Sequence, residues 1–317
     1  MTTPLPHVES IGDGIHVIDT GFHRPRFDAS YLIVEGGRAA FIDTGTNFAI
    51  PRLLQTLRDL GLGADAVDFV IPTHVHLDHA GGVGRLIQSL PNARVLVHPR
   101  GARHMIDPSA LYQGALSVYG QEEMDRSYGT LVPIDADRVQ GTHDGLVVEL
   151  GGRPLRFADT PGHARHHHCI WDERTRGWFT GDTFGLSYRE FDTASGPWIL
   201  PTSTPVQFEP DVLRASILRL LAEQPACMYL THYGRVEQVA ALAAMLLEQL
   251  DALVALARDH ELAPQRHQAL VQAQRELFAE RLRRHGVSDP ESGLDLLALD
   301  VELNAQGLAV WLDREPH

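Results

Sequence analysis

The 317-residue sequence predicts a mixed α/β (α+β) protein with a large first domain and a helical C-terminal region. Three observations support this fold class. Short apolar segments separated by glycine turns come first, as in β-hairpins. Segments with strand and helix periodicity then alternate, as in a sheet covered by helices. The last segment has helical periodicity throughout, so we predict a domain over residues 1–258 and a helical region over residues 259–317.

The first half of the chain is predicted to alternate between strands and helices. Glu35-Gly36-Gly37 is a hairpin turn between two apolar segments. Residues 66–71 are interpreted as a buried strand, because the segment is short, rich in β-branched residues and ended by Pro72. The predicted strands are residues 14–19, 30–34, 39–43, 66–71 and 94–97, and the predicted helices are residues 50–60 and a segment near 83–87.

Further along the chain are two segments of weak periodicity, residues 105–140 and 185–205. Both carry many aromatic residues, and we predict that they wall a pocket. The apolar run 308–312 should dock on the rest of the protein, and a homodimer contact through the helical region is one interpretation. The predicted strands are residues 146–150, 155–158, 169–171, 178–180 and 226–231, and the predicted helices are residues 212–221, 236–256, 265–284 and 294–303.

Composition excludes several classes of function. The net charge of -14, without a basic stripe, argues against a nucleic-acid partner and leaves a small-molecule substrate as the expectation. No uninterrupted apolar run is long enough for a bilayer, and the first seven residues have no export-signal pattern. Cys169 and Cys227 are too few for a disulfide framework. A cytoplasmic protein that does not enter a membrane is therefore predicted.

The segment from Thr73 to Gly82 carries the strongest chemical signal. His74, His76, Asp78 and His79 lie within six residues, directly after the predicted strand 66–71. Residues two apart in extended chain point to the same side, so the first two histidines should face the same way. The next two should lie in the turn before a helix. Two such pairs of ligands are typical of a site for two metal ions.

Three further candidates also follow predicted strands. His163 comes after the turn Pro161-Gly162, Asp182 comes after residues 178–180, and His232 comes after residues 226–231. A single residue of this kind is weak evidence for a ligand. All three lie where the loops that follow the strands meet at one edge of a sheet, so we predict that they lie close to the first group.

At these residues the chain resembles the metallo-β-lactamase-fold superfamily. The motif His-x-His-x-Asp-His is present at residues 74–79, and the later ligands follow in family order. The resemblance covers residues 12 to 240 and implies an αββα sandwich with its site at one edge. It also implies that one metal binds to His74, His76 and His163, that a second binds to Asp78, His79 and His232, and that both are bridged by Asp182.

The resemblance implies a dinuclear metallohydrolase. Histidine and carboxylate ligands without thiolate suit two divalent ions, with Zn²⁺ expected and Fe or Mn as alternatives. Two such ions can share a hydroxide and polarise the bond that it attacks. Asp78 and Asp182 are the predicted catalytic residues. His166, His167 and His168 are assigned supporting or structural roles.

The set of seven ligands resembles that of glyoxalase II and the lactonases, which predicts a small ester, thioester or lactone as substrate. The chain departs from both patterns. Phe184-Gly185-Leu186-Ser187 replaces the Gly-Cys-Gly-Arg segment of glyoxalase II, and Gly185 stands where lactonases have a tyrosine. Tyr188 would replace that tyrosine if its loop folded back.

The alternative is an iron-dependent redox enzyme of the same fold, either a persulfide dioxygenase or a diiron oxygen-reducing protein. The diiron type usually has Glu where His76 stands, together with a flavodoxin module that this sequence does not contain. A silent binding protein is disfavoured because all seven ligands are present. β-Lactam and phosphodiester hydrolysis are disfavoured by the predicted cytoplasmic location and by the shortage of basic residues, respectively.

Overall fold

Two β-sheets form the centre of the protein, in a computed structural model that describes residues 6–315. The prediction that the first seven residues lack an export signal falls mostly on residues 1–5, outside the described part of the chain. The first sheet has seven strands in chain order. They are β1 (Val8–Ser10), β2 (Ile15–Asp19), β3 (Ala29–Glu35), β4 (Arg38–Ile42), β5 (Val67–Ile71), β6 (Arg94–Val97) and β7 (Val139–Gly141).

The second sheet has six strands in the spatial order β13-β12-β11-β10-β9-β8. β9 and β11 both run antiparallel to β10, and β12 runs parallel to β11, so the carboxyl ends of β9, β11 and β12 share one edge. The strands are β8 (Val147–Leu150), β9 (Arg153–Asp159), β10 (His168–Asp172), β11 (Gly177–Gly181), β12 (Cys227–Leu230) and β13 (Gly234–Val236).

Alternating side chains on the strands separate the inner core from the outer cores. On β3, Tyr31 and Ile33 lie between the sheets with Phe157 and Phe179, whereas Leu32 faces the outer helices. This alternation is the signature of a strand that is buried on both faces. With helices outside both sheets, the αββα sandwich is confirmed.

Helices cover both outer faces. Those of the first half are α1 (Ile50–Asp59), α2 (Leu77–Ala80), α3 (Val83–Ile87), α4 (Pro99–Ile106) and α5 (Ser109–Glu123). Those of the second half are α6 (Pro210–Ala222), α7 (Val239–Asp259), α8 (Arg266–His285), α9 (Pro290–Leu296) and α10 (Ala298–Leu312). A kink in α5 occurs at Gly120, whose φ of 77° lies in the region that glycine adopts most easily.

The C-terminal helices share one apolar core with the second sheet. Leu270 of α8 and Val301 of α10 belong to the same cluster as Trp178 of β11 and Leu246 of α7. The boundary between residues 258 and 259 therefore stays a prediction. The predicted helix over residues 294–303 is wrong in its bounds, because Leu297 separates α9 from α10 (φ −90°, ψ 5°).

Residues 185–205 do wall a cavity at their end, through Thr204 and Pro205, but the prediction that their aromatic residues line it is wrong. Tyr188 and Trp198 are fully buried, because C-terminal helices cover them. The Tyr188 hydroxyl donates to Asp300 of α10 (3.0 Å), and Trp198 packs edge-on against Phe278 of α8. Tyr188 therefore does not take the place of the lactonase tyrosine.

Within the described residues, α7 is the helix that is long and apolar enough, by length and composition, to cross a membrane. One such helix is weak evidence, because core helices have the same character. The inner face of α7 packs Leu246 and Leu250 into the core. On its outer face, Glu248 and Asp251 form ion pairs with Arg281 and Arg214. These contacts are those of a helix that covers a core.

Candidate metal centre

All seven predicted ligands lie at one edge of the sandwich. They follow the carboxyl ends of strands from both sheets, since parallel strands deliver their following loops to the same side. Four come directly after β5, with Asp78 and His79 inside the short helix α2 rather than in a plain turn. The others follow β9, β11 and β12 and are His163, Asp182 and His232.

The first group consists of His74, His76, His163 and Asp182, whose candidate ligand atoms all lie within 4.8 Å of one another. His76 Nδ1 lies 2.9 Å from His74 Nε2 and 3.1 Å from His163 Nε2. Asp182 Oδ2 lies 3.4 Å from His163 Nε2. Three imidazole nitrogens and one carboxylate oxygen therefore converge on one point.

The second group consists of Asp78, His79 and His232. Asp78 Oδ2 lies 3.4 Å from His232 Nε2 and 3.8 Å from His79 Nε2. Asp182 also reaches this group, because its Oδ1 lies 3.3 Å from His79 Nε2 and 3.8 Å from His232 Nε2. One oxygen of Asp182 thus faces each group, which is the position that a bridging ligand needs.

The hydrogen bonds behind the second group set the orientation of its rings. His79 Nδ1 lies 2.8 Å from Asp43 Oδ2, and His232 Nδ1 lies 2.8 Å from the carbonyl oxygen of Phe27. Both partners accept hydrogen bonds, so each Nδ1 carries a proton, and in the neutral ring the Nε2 lone pair points into the cluster. This is the usual arrangement around histidines that bind metal ions.

Two buried atoms show that a cation fits the site. His79 Nε2 and Asp182 Oδ1 are buried and have no hydrogen-bond partner, although they lie 3.3 Å apart. With Nδ1 protonated in a neutral ring, both are lone-pair donors that face each other. A positive ion between them satisfies both atoms, and the nitrogen and oxygen donors suit a divalent metal.

The pKa values of His79 and His232 also show that the second group favours a positive charge. Burial disfavours the charged imidazole of His79, but Asp182, Asp43 and Asp78 outweigh burial and raise the pKa well above its usual value. Burial acts in the same way on His232, where a hydrogen bond with Asp78 and the charge of Asp182 raise the pKa to about 9. The second group therefore attracts a proton or another cation.

In the first group, burial dominates. It lowers the pKa values of His74, His76 and His163, aided by neighbouring histidines at the first two, so these rings are neutral at neutral pH. A neutral imidazole has the lone pair that metal binding requires.

Asp43 was not selected as a site residue from the sequence, but it supports the site from behind the ring of His79. Its carboxylate accepts hydrogen bonds from the backbone N–H of Thr73 (2.7 Å), the Thr231 hydroxyl (2.7 Å) and His79 Nδ1. A signal was available, because Asp43 is an aspartate at a strand end followed by Thr-Gly, and Asp182 also ends an apolar strand. Thr73 and Thr231 carried no comparable signal.

In the tract His166-His167-His168, the first two histidines contact the site. The backbone N–H of Val75 donates to His166 Nδ1 (3.4 Å), and His166 lines a cavity together with His76. Asp182 N–H donates to His167 Nε2 (3.2 Å), and the ring of His167 stacks on that of His74. His168 Nε2 contacts the carbonyl oxygen of Pro72 (3.0 Å) on the other side of its strand. His167 therefore fixes the backbone of Asp182, and its neighbour joins the ends of two strands. The supporting or structural roles assigned to the three histidines stay a prediction.

Two cavities lie on either side of Val118 and Tyr119 of α5. The smaller, of about 270 Å³, is lined by His76 and Leu77. The larger, of about 620 Å³, reaches Phe27, the residue whose carbonyl oxygen contacts His232. The prediction that residues 105–140 wall a pocket agrees with this placement of α5.

Comparisons with known proteins agree with this geometry. Protein ST1585 of Sulfurisphaera tokodaii, a metallo-beta-lactamase fold-containing protein, is 27% identical over 228 residues, which are 70% of this chain and 79% of that protein. Its crystal structure has a TM-score of 0.67 and 24% identity, over 94% of this chain and 98% of that one. A metallo-beta-lactamase family protein of Thermus thermophilus, TTHA1429, has a TM-score of 0.68 and 20% identity, over 96% and 94% of the two chains.

The human acyl-coenzyme A thioesterase MBLAC2 is 29% identical over 192 residues, which are 55% of this chain and 64% of that protein. This chain thus spans slightly less than two thirds of that relative. The family model of the metallo-beta-lactamase superfamily matches residues 23–232, a range that begins before β3 and ends at the last predicted ligand. The match takes in two thirds of the sequence and all seven predicted ligands, and the chain belongs to the metallo-beta-lactamase superfamily.

Proposed function

We propose that this protein is a dinuclear metallohydrolase that cleaves an acyl thioester, or a related small ester or lactone. The seven side chains His74, His76, Asp78, His79, His163, Asp182 and His232 would hold two divalent ions, with Zn²⁺ expected. A cytoplasmic location and a small-molecule substrate, without nucleic acid or membrane as partners, belong to the same proposal.

The observation that carries this proposal is the pair of cavities on either side of Val118 and Tyr119. One is lined by His76 of the first group, and the other reaches Phe27 beside His232 of the second group. A thioester also has two parts, an acyl group and a thiol, on either side of the bond that is hydrolysed. A substrate in both cavities would present its carbonyl to the ligand cluster. The similarity to MBLAC2, which is named as an acyl-coenzyme A thioesterase, supports this substrate class.

The side chains provide most of what such a reaction needs. Divalent ions bound here would supply Lewis acidity, which activates water and polarises a carbonyl group. Asp182 directs one oxygen to each ligand group and so fixes their separation. Asp43 and the carbonyl group of Phe27 hold the rings of His79 and His232 in place. Orientation by a preformed site removes much of the entropic cost of the reaction.

A substrate panel tests the proposal. The protein is stripped of metal, reloaded with Zn²⁺, Mn²⁺ or Fe²⁺, and assayed with acyl thioesters, lactones, p-nitrophenyl esters, a phosphodiester and glutathione persulfide. The expected result is the highest kcat/KM for a thioester, lost on chelation and restored by Zn²⁺. A His79→Ala variant purified in parallel controls for contaminating hydrolases.

Two outcomes would contradict the proposal. Oxygen consumption with the persulfide and one tightly bound iron would favour the redox alternative. Turnover of the phosphodiester alone would assign a different hydrolase class. Neither result depends on how the substrate enters the site, so the panel tests the chemistry by itself.

A further inference from the structure

We propose that the smaller cavity binds the acyl chain of the substrate and that Gly114 of α5 sets the length of chain that it accepts. This inference rests on the proposed function and names the part of the substrate that each cavity takes. The acyl chain would run from the ligand cluster, beside His76 and Leu77, along α5 towards Val206.

Apolar surface exceeds polar surface in the smaller cavity, although His104, His166 and Gln207 also line it, and a mainly apolar lining suits a hydrocarbon chain. At its inner end Leu77 is nearly buried and lies between two predicted ligands in the sequence, and at its rim Val206 is 53% exposed. Burial of methylene groups in such a cavity is favourable because they leave water. The apolar residues that line it are Leu77, Ala110, Leu111, Ala115, Val118, Pro205 and Val206.

The larger cavity has a different character. Its wall includes Arg24, Arg126, Glu123, Asp295 and Glu302, together with apolar residues of α10. Charged groups of both signs suit a polar thiol part better than a hydrocarbon chain. The difference between the two walls therefore assigns the acyl chain to the smaller cavity.

Gly114 has no structural reason to be glycine. It lies within α5, where glycine is less favourable than alanine, and its φ is outside the positive range that favours glycine. A Cβ atom added there would meet no atom within 4 Å. At Gly101 of α4, in contrast, an added Cβ would lie 2.8 Å from Val75 Cγ1. Packing therefore explains Gly101 and leaves Gly114 unexplained.

The position of Gly114 gives it a role in the cavity. It lies at the exposed part of the wall, one helical turn after Ala110 and one before Val118, and all three residues line the cavity. The missing side chain leaves room between α5 and residues 204–207. A larger residue at this position would occupy the outer part of that room and leave the ligand cluster unchanged.

The test compares Gly114→Leu with Gln113→Leu. Gln113 is the adjacent exposed residue of α5 and is absent from the described lining of the cavity. Gln113→Leu therefore adds a leucine to the same helix but outside the cavity. Coenzyme A thioesters from acetyl to dodecanoyl are assayed with the Zn²⁺-loaded protein. In the wild type, kcat/KM should rise by up to about fourfold for each methylene group that becomes buried. In Gly114→Leu the rise should stop at a shorter chain, so the loss relative to wild type should grow with chain length and be smallest for acetyl. The melting temperature should be equal to that of the wild type or higher, because leucine favours a helix more than glycine does.

Binding provides a second measurement that does not require turnover. Non-hydrolysable alkyl thioethers of coenzyme A, with the same chain lengths, are titrated by calorimetry. Long-chain thioethers should bind more weakly to Gly114→Leu than to Gln113→Leu, and ethyl thioethers should bind equally. If Gly114→Leu does not fold, Gly114→Ala takes its place with a smaller shift in the same direction.

The outcomes separate this inference from the proposed function. Wild-type hydrolysis of thioesters with equal effects of both leucine variants at all chain lengths would overturn the acyl assignment and leave the hydrolase intact. Chain-length-dependent binding of thioethers without hydrolysis of any thioester, ester or lactone would overturn the proposed function and retain the cavity as an alkyl site. A shift in chain preference caused by Gln113→Leu alone would place the acyl chain elsewhere.

Discussion

At the scale of single residues, Asp182 connects the two ligand groups. Its Oδ2 lies 3.4 Å from His163 Nε2 and its Oδ1 lies 3.3 Å from His79 Nε2. Gly181, before it, has a φ of 46°, and an added Cβ would lie 2.5 Å from Thr73 Oγ1. The backbone that carries Asp182 is therefore closely packed against the strand end that carries the first histidines.

We predict that Asp182→Asn folds, retains at least one metal ion and loses kcat by orders of magnitude. Asparagine keeps the shape but removes a negative charge and one good ligand oxygen, so the two groups would lose their common connection. The measurements are kcat, metal content and melting temperature on one preparation. A destabilised variant with full turnover per folded molecule would show that Asp182 only stabilises its turn.

Asp43→Asn is the matched comparison, because Asp43 lies behind His79 rather than in the cluster. Losses from residues that orient metal ligands are typically about 10–100-fold in affinity or activity. The fall in kcat for Asp182→Asn should exceed this range.

At the scale of elements, α10 supports the site through the loop before α6. The Asn304 side chain accepts a hydrogen bond from the backbone N–H of Ser203 (2.6 Å) and donates one to the carbonyl oxygen of Pro201 (3.3 Å). Between these residues, the carbonyl oxygen of Thr202 lies 3.5 Å from His163 Nδ1. A helix near the end of the chain thus positions the loop that faces a predicted ligand.

We predict that Asn304→Leu lowers the free energy of unfolding by about 1–3 kcal/mol, because the buried N–H of Ser203 loses its acceptor. The change should also weaken metal binding, since the loop beside His163 becomes less well held. Thermal melts and metal titrations check both effects. Gln274→Met is the control, since Gln274 is a buried amide of α8 that donates to Leu270. Equal loss of metal affinity in both variants would show that the effect is general destabilisation.

Sequence patterns predicted the elements that depend only on residues close together in the chain. The hairpin of β3 and β4, the strand before the histidines and the end of α8 at Gly286 follow from composition over a few residues. The burial of Tyr188 did not follow, because its partner Asp300 lies 112 residues later in the sequence. The sequence of an aromatic loop has the same pattern whether the loop is covered by a helix or lines a ligand-binding pocket.

At the scale of the whole molecule, the candidate centre draws ligands from loops that follow strands of both sheets. The motif at residues 74–79 made these ligands predictable, since a short range contains four of them. The position of Asp43 at a strand end offered a signal, but the support by Asn304 was not predictable, because it depends on how a distant helix meets the loop before α6. The cavities on either side of α5 likewise depend on packing.

We predict that chelation lowers the melting temperature and that Zn²⁺ restores it. Without an ion, the buried atoms His79 Nε2 and Asp182 Oδ1 lack partners. A free ion concentration a hundredfold above Kd adds about 2.7 kcal/mol, which corresponds to a shift of about 4 °C for a chain of 317 residues. Differential scanning calorimetry measures the shift, and His232→Ala should show a smaller one. A melting temperature insensitive to both chelator and Zn²⁺ would contradict a metal site.

The contacts of Asp43 reach beyond the ring of His79. Asp43 follows β4 and Thr73 follows β5 of the first sheet, whereas Thr231 follows β12 of the second, and all three meet at one carboxylate. The two halves of the sandwich must be docked before that carboxylate can hold the ring of His79. The amount of bound metal therefore reports whether the two sheets have docked. A chain in which both sheets had formed but had not docked would lack a complete ion-binding centre, whatever its secondary-structure content.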